Sequence, residues 1–245
     1  RISRGARKDM KRLLALLLTA GLTIGLIGCG LEQGEHSSQE SSGMESSRPD
    51  LSLPEQSYDS VEEVPDFYVQ VLMMYGAAED PETRELHPLH VSLFYGDGWK
   101  DGSELTAGDA YCWFLSFVND LSQEEMEERY ASPLGENQGW FFPEEELEST
   151  MSAWFEGVTP EQFRADSNFY DAEHHGYRSI SGPDIGIQPR LKLGEVRSDG
   201  DLRIIPVFMD YESGEDCRME LTIRISPDQK SYQFVSWLPA ESQNI

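Results

Sequence analysis

Residues 217–225 read Cys-Arg-Met-Glu-Leu-Thr-Ile-Arg-Ile. Cys217, Met219, Leu221, Ile223 and Ile225 alternate with Arg218, Glu220, Thr222 and Arg224, which is the period-two pattern of a strand with one buried and one wet face. Upstream, Leu202 to Tyr211 is a second run of the same kind. Its Pro206 has no N–H to give a ladder and so predicts an edge or a bulge. Ser198-Asp199-Gly200-Asp201 is a hairpin signal that joins this run to a strand over Arg190 to Arg197. Downstream, Pro227 to Lys230 turns the chain into a last strand, Ser231 to Leu238. Four successive strands joined by short turns predict an antiparallel meander.

The residues before this region carry a different period. Ala110, Trp113, Phe114, Phe117, Val118 and Leu121 follow the i, i+3, i+4 spacing of a helix with one apolar face, and Thr106 stands where its N-cap belongs. Ser122 caps a short acidic helix, Gln123 to Tyr130. Pro143 opens another, with Glu144, Glu145 and Glu146 in the first turn, where the helix dipole favours negative charge. Leu147, Thr150, Met151, Trp154 and Phe155 form its stripe, and Gly157 predicts its C-terminal cap. Thr159-Pro160-Glu161-Gln162 starts one more short helix. Nearer the N-terminus, Glu63 to Ala78 suits a helix, Asp80 to His87 a loop and Leu89 to Tyr95 a short strand. The expected fold class is α+β, with N-terminal helices packed on a C-terminal antiparallel meander sheet of about four strands.

The first residues carry a separate message. From Met10, which suits a true start, a basic opening leads into Leu13 to Gly28, 16 residues without charge. That is short of the roughly 20 a spanning helix needs and fits an export signal. The run ends Leu26-Ile27-Gly28-Cys29, which resembles the lipobox of bacterial lipoproteins at every position. The resemblance implies cleavage before Cys29 and a diacylglycerol on its thiol. The expected organisation is a lipoprotein signal peptide over 1–29, a disordered Ser- and Glu-rich tether over 30–56 and an extracytoplasmic α+β domain over 57–245. The tether has too few bulky apolar residues to offset its ordering entropy.

Trp154-Phe155-Glu156-Gly157-Val158, Thr159-Pro160-Glu161-Gln162-Phe163-Arg164 and Tyr170-Asp171-Ala172-Glu173 resemble uncharacterised lipoproteins of Gram-positive gut bacteria over about residues 106–240. The resemblance implies no known activity. The element order also loosely resembles cone-shaped α+β folds of the nuclear-transport-factor-2 type.

Charge narrows the partners. The chain's net charge is -26. Residues 1–29 hold six Lys or Arg against one Asp, which leaves -31 for the rest. Such a domain repels nucleic acid, whose phosphates need a basic footprint. Hydrophobic residues at 38% suffice to bury a core.

Candidates for chemistry are few. Asp171, Glu173, His174 and His175 are the densest group of metal-ligand types, but they lack a spaced partner and read as a polar hairpin before a strand Tyr177 to Ile180. His87 and His90 are separated by Pro88, which argues against a helical zinc pair. The runs Glu124 to Glu128 and Glu144 to Glu148 lack the spaced ligands of a calcium loop and read as solvated helix faces. Trp99, Trp140 and Trp237 read as core or rim packing in preference to a sugar platform. Cys112 and Cys217 both fall on faces predicted to be buried. In an exported domain they permit a disulfide, or they remain two free thiols. No metal, cofactor or catalytic residue is assigned, and no G-x-S-x-G, phosphate-binding Gly loop or kinase signature is present.

The expected function is a lipid-anchored cell-envelope lipoprotein, held at the membrane through Cys29 on the extracytoplasmic face. Its domain is expected to be a non-enzymatic binding or interaction module for an unknown envelope ligand or protein. The alternatives are a hydrolase acting on wall glycan or peptide and the lipoprotein subunit of an uptake system.

Overall fold

A computed structural model describes residues 58–90, 93–94, 97–135, 139–179, 189–211 and 216–240. The signal peptide, the start at Met10, the lipidation at Cys29 and the tether over 30–56 lie outside the described residues. The chain opens with a 3-10 turn, Val61–Glu63, helix α1 (Phe67–Tyr75), and strands β1 (Ala77–Glu79) and β2 (Leu86–Pro88). A second 3-10 turn, Gly102–Glu104, precedes helices α2 (Ala107–Phe117) and α3 (Gln123–Tyr130), strand β3 (Phe141–Pro143), and helices α4 (Glu144–Trp154) and α5 (Pro160–Arg164). Strands β4 (Tyr170–Asp171), β5 (Gly176–Arg178), β6 (Arg190–Leu193), β7 (Arg197–Asp199), β8 (Leu202–Asp210), β9 (Asp216–Ile225) and β10 (Tyr232–Pro239) follow.

The main sheet is seven-stranded, in the order β1-β2-β6-β8-β9-β10 with β7 also on β8, and it curls into an antiparallel half-barrel. A second sheet has the order β3-β5-β4. This corrects the expectation of helices laid on a meander of about four strands. The molecule is richer in sheet, and its helices are few. The added strands are two or three residues long, too short to show a period. Strand β2 joins the main sheet through one register pair, Leu86 opposite Leu191. It falls at the end of the stretch expected to be a loop, while Leu93 and Phe94, inside the expected strand, form a turn.

Pro206 explains why Arg190 to Arg197 is two strands and not one. Leu193 pairs with Val207, and Arg197 with Ile204. Four steps on one side face three on the other, so residues 194–196 hold a bulge. The Gly194 amide donates to the Pro206 carbonyl at 2.7 Å. The Pro206 nitrogen faces that same neighbour, and the ladder breaks where it has no proton to give.

The inner face of the sheet carries Ile205, Val207, Met209, Met219, Leu221 and Ile223 into the core. Val71, Leu72 and Tyr75 of α1, Trp113 and Phe114 of α2, and Leu147, Met151 and Trp154 of α4 meet them there. Thr106 and Asp109 cap α2 reciprocally: the Thr106 amide donates to Asp109 Oδ2 at 2.9 Å and the Asp109 amide to Thr106 Oγ1 at 3.1 Å. That helix stops at Phe117, one turn short of the expected Leu121. The free edge of β10 is closed by the chain itself. Trp99 and Trp237 exchange backbone hydrogen bonds of 2.7 and 2.8 Å, and the Glu156 amide donates to the Phe234 carbonyl at 2.9 Å.

Cys217 departs from the expected burial. Met219, Leu221, Ile223 and Ile225 are buried, but Cys217, at the start of β9, is exposed, and Cys112 on α2 is partly buried. Both are free thiols.

Candidate functional site

Two places gather polar side chains beside buried aromatics. The first is a cluster on α4, α5 and the small sheet. Glu144 and Glu148, four residues apart, share one face of α4. Glu148 was expected on a solvated face, yet it is 4% exposed. The stripe Leu147, Met151, Trp154 turns Glu148 inward with it, and that spacing was the available signal. Arg164 of α5 grips the carboxylate with Nε on Oε1 and Nη2 on Oε2, both at 2.7 Å. The Tyr177 hydroxyl on β5 donates to Oε1, also at 2.7 Å. Next to them the Tyr170 hydroxyl donates to Glu144 Oε2 at 2.5 Å.

The acid–base consequences follow from these contacts. The Tyr170 hydrogen bond holds the Glu144 carboxyl below its usual range, and the same bond pushes Tyr170 up. Burial, then the Glu148 carboxylate, pushes Tyr177 up, and Glu148 raises Arg164. Both phenols therefore keep their protons and spend them on carboxylates. The arrangement is suited to holding α4, α5 and β5 together, because a buried carboxylate is tolerated where its hydrogen bonds are met.

The other sequence candidates resolve into local structure. Asp171 closes the β4–β5 turn by accepting the Glu173 and His174 amides at 3.0 and 3.1 Å. His174 Nδ1 lies 3.2 Å from Asp171, and His175 adopts a left-handed φ of 54°. His87 Nδ1 lies 3.2 Å from the Pro189 carbonyl. Trp99 and Trp237 are in the core, and Trp140 is half-buried. Glu124, Glu127 and Glu128 stand on the exposed side of α3. Among the described residues, no three His, Cys, Asp or Glu side chains gather as a metal site.

The second place is a groove of about 440 Å³ between the end of α4 and the β9–β10 turn. Ala153, Trp154, Pro227 and Tyr232 supply its apolar wall. Gln233 fixes the helix end by donating to the Ser152 and Ala153 carbonyls at 3.4 and 3.2 Å. At the rim, Arg224 Nε donates to Glu156 at 2.7 Å and Nη1 to both Asp201 oxygens at 2.9 Å. This contact raises Arg224 and holds the Asp201 carboxyl low. Lys230 Nζ donates to the Tyr58 and Asp59 carbonyls at 2.6 and 3.1 Å. The Tyr232 hydroxyl is buried and has no hydrogen-bond partner. No sequence signal pointed here, because the groove joins a helix end to a hairpin turn far along the chain.

No protein-family model matches the chain, and neither a curated protein nor a solved structure matches it. No helix among the described residues is long and apolar enough to cross a membrane.

Proposed function

We propose that the chain is a lipid-anchored lipoprotein of the cell envelope whose domain binds a ligand or partner outside the cell without catalysing a reaction. The groove beside Trp154 carries the binding reading. It is concave, has an apolar wall with polar groups at its rim, and lies where two elements meet, as ligand sites do. The address rests on Leu26-Ile27-Gly28-Cys29. Two acyl chains on Cys29 would hold the protein stably at a bilayer. A non-enzymatic role is supported by the Glu148 cluster, whose carboxylate and phenols are bonded to one another. A wall hydrolase would need an acid and a base facing a shared cleft.

Two measurements test this reading. The wild-type chain should take up acyl label and sediment with membranes, and Cys29→Ala should lose both. Equal labelling and sedimentation of the variant would overturn the anchor. A thermal-unfolding screen against calcium, zinc, wall fragments, sugars and short peptides then tests binding. A ligand at 100 times its Kd stabilises by about 2.7 kcal/mol, and a flat screen with no substrate turned over would shift the role to a protein partner.

A further inference from the structure

We infer that the groove takes a short basic peptide segment. One apolar side chain would lie against Ala153 and Pro227, and a neighbouring Lys or Arg would face the rim carboxylates. The inference rests on the binding reading above and names its ligand class.

Three observations select this class. Trp154 and Tyr232 are 3% and 5% exposed, so neither offers an open ring face on which a sugar could stack. The rim cations are already committed, Arg224 to Glu156 and Asp201 and Lys230 to two backbone carbonyls, so an anionic headgroup finds its donors in use. The carboxylates at and behind the rim, Glu156, Asp201 and Asp228, outnumber those two cations. Glu156 and Asp201 keep side-chain exposures of 41% and 56%. The net charge of -26 adds a field that draws a cation in from solution.

The test uses the purified full chain and a short labelled peptide alternating leucine and lysine, followed by fluorescence anisotropy. Leucine–glutamate and serine–lysine peptides are the controls. The leucine–lysine peptide should bind about tenfold more tightly than either control, and added salt should weaken it. Ala153→Arg, which fills the groove, should abolish binding while circular dichroism stays unchanged. Groove-dependent binding of the leucine–glutamate peptide would overturn the basic class and leave the groove a binding site. Binding that Ala153→Arg does not affect, or no binding of any of the three, would overturn the inference, and the thermal screen would then decide the broader reading.

Discussion

Arg164 and Glu148 meet through two parallel hydrogen bonds of 2.7 Å, and the carboxylate so held is almost wholly shielded from water. Arg164 itself keeps a side-chain exposure of 43%, so the pair is buried at one end only. Tyr177, fully buried, completes the arrangement from β5. One carboxylate thereby joins two helices to the small sheet.

Glu148→Ala should therefore cost about 3 kcal/mol, combining a broken buried pair with an orphaned Tyr177 hydroxyl. Arg164→Ala should destabilise as well, by leaving the carboxylate buried with a single neutral donor. The two changes remove one shared interaction, so the double variant should lose less than the sum of the singles. Urea unfolding of the four proteins measures this. Strict additivity would show that the pair contributes nothing beyond its separate parts.

The ends of the pH range should report a second ion pair. Arg203 donates to Glu62 through Nε and Nη2, both at 2.7 Å, and Tyr68 donates to the same carboxylate. The Arg203 hydrogen bond, ahead of a smaller contribution from Tyr68, holds Glu62 below its ordinary 4.5. A lowered folded-state value means stability that is present above 4.5 and lost as the pH falls through it. Wild type should then exceed Glu62→Gln at neutral pH, with the gap closing in acid. Burial, then the Glu62 bond, pushes Tyr68 from 10.0 up to about 12. Its contribution is present below pH 10 and lost as the pH rises toward about 12, a loss that Tyr68→Phe should not show. Denaturant midpoints from acid to alkali check both arms, and parallel curves for wild type and the two variants would contradict them.

The parts of this fold that were legible in the sequence are those with enough residues to show a period. Trp113, Phe114 and the Thr106 cap mark α2, and Met219 to Ile225 mark β9. Strands β1 to β4 were hidden because two or three residues have no period, whereas β5 overlaps the strand expected over Tyr177 to Ile180; β2 and β3 are also held by partners distant in sequence, Leu86 by Leu191 and Phe142 by Tyr177. Pro206 announced a bulge but not the half-barrel of which the bulge is part. Glu148 was hidden by its acidic neighbours Glu144 to Glu146, although its place beside Leu147 and Met151 turns it inward. The groove had no signal of its own, since Trp154 reads as part of a helix's apolar stripe and Tyr232 only as one residue of the last strand.

The two cysteines of the folded region should separate by rate. Cys217 is exposed at the start of β9, and Cys112 is partly buried on α2. Access and thiolate fraction govern thiol exchange. In native protein an aromatic disulfide reagent should modify Cys217 first, and Cys112 only slowly or on unfolding. Cys217→Ala should remove the fast phase and leave the slow one. If denatured, unreduced protein releases no signal from either residue, the two are bonded and the free-thiol arrangement is wrong.

Gly98 offers the sharpest test of how the sheet edge is closed. Its φ is +75°, a region that side chains disfavour, and a Cβ there would stand 1.9 Å from the Trp237 carbonyl oxygen. That oxygen accepts the Trp99 amide at 2.7 Å, so the clash falls on the bond that seals β10. Neither backbone can retreat easily. Trp99 and Trp237 are both buried, Trp99 Nε1 donates to the Tyr75 hydroxyl at 3.1 Å, and Tyr75 lies 5.3 Å from the Trp237 ring. Gly98→Ala should therefore cost about 2–3 kcal/mol, from backbone strain and a lost edge contact together. Gly200 is the internal control. It also has a positive φ, +60°, but a Cβ there meets nothing within 4 Å. Gly200→Ala should cost only the strain, about 1 kcal/mol. Thermal unfolding followed by tryptophan fluorescence should rank the two in that order, with the larger spectral change in Gly98→Ala. Equal losses would mean that the Trp99–Trp237 contact does not hold the edge of β10 closed.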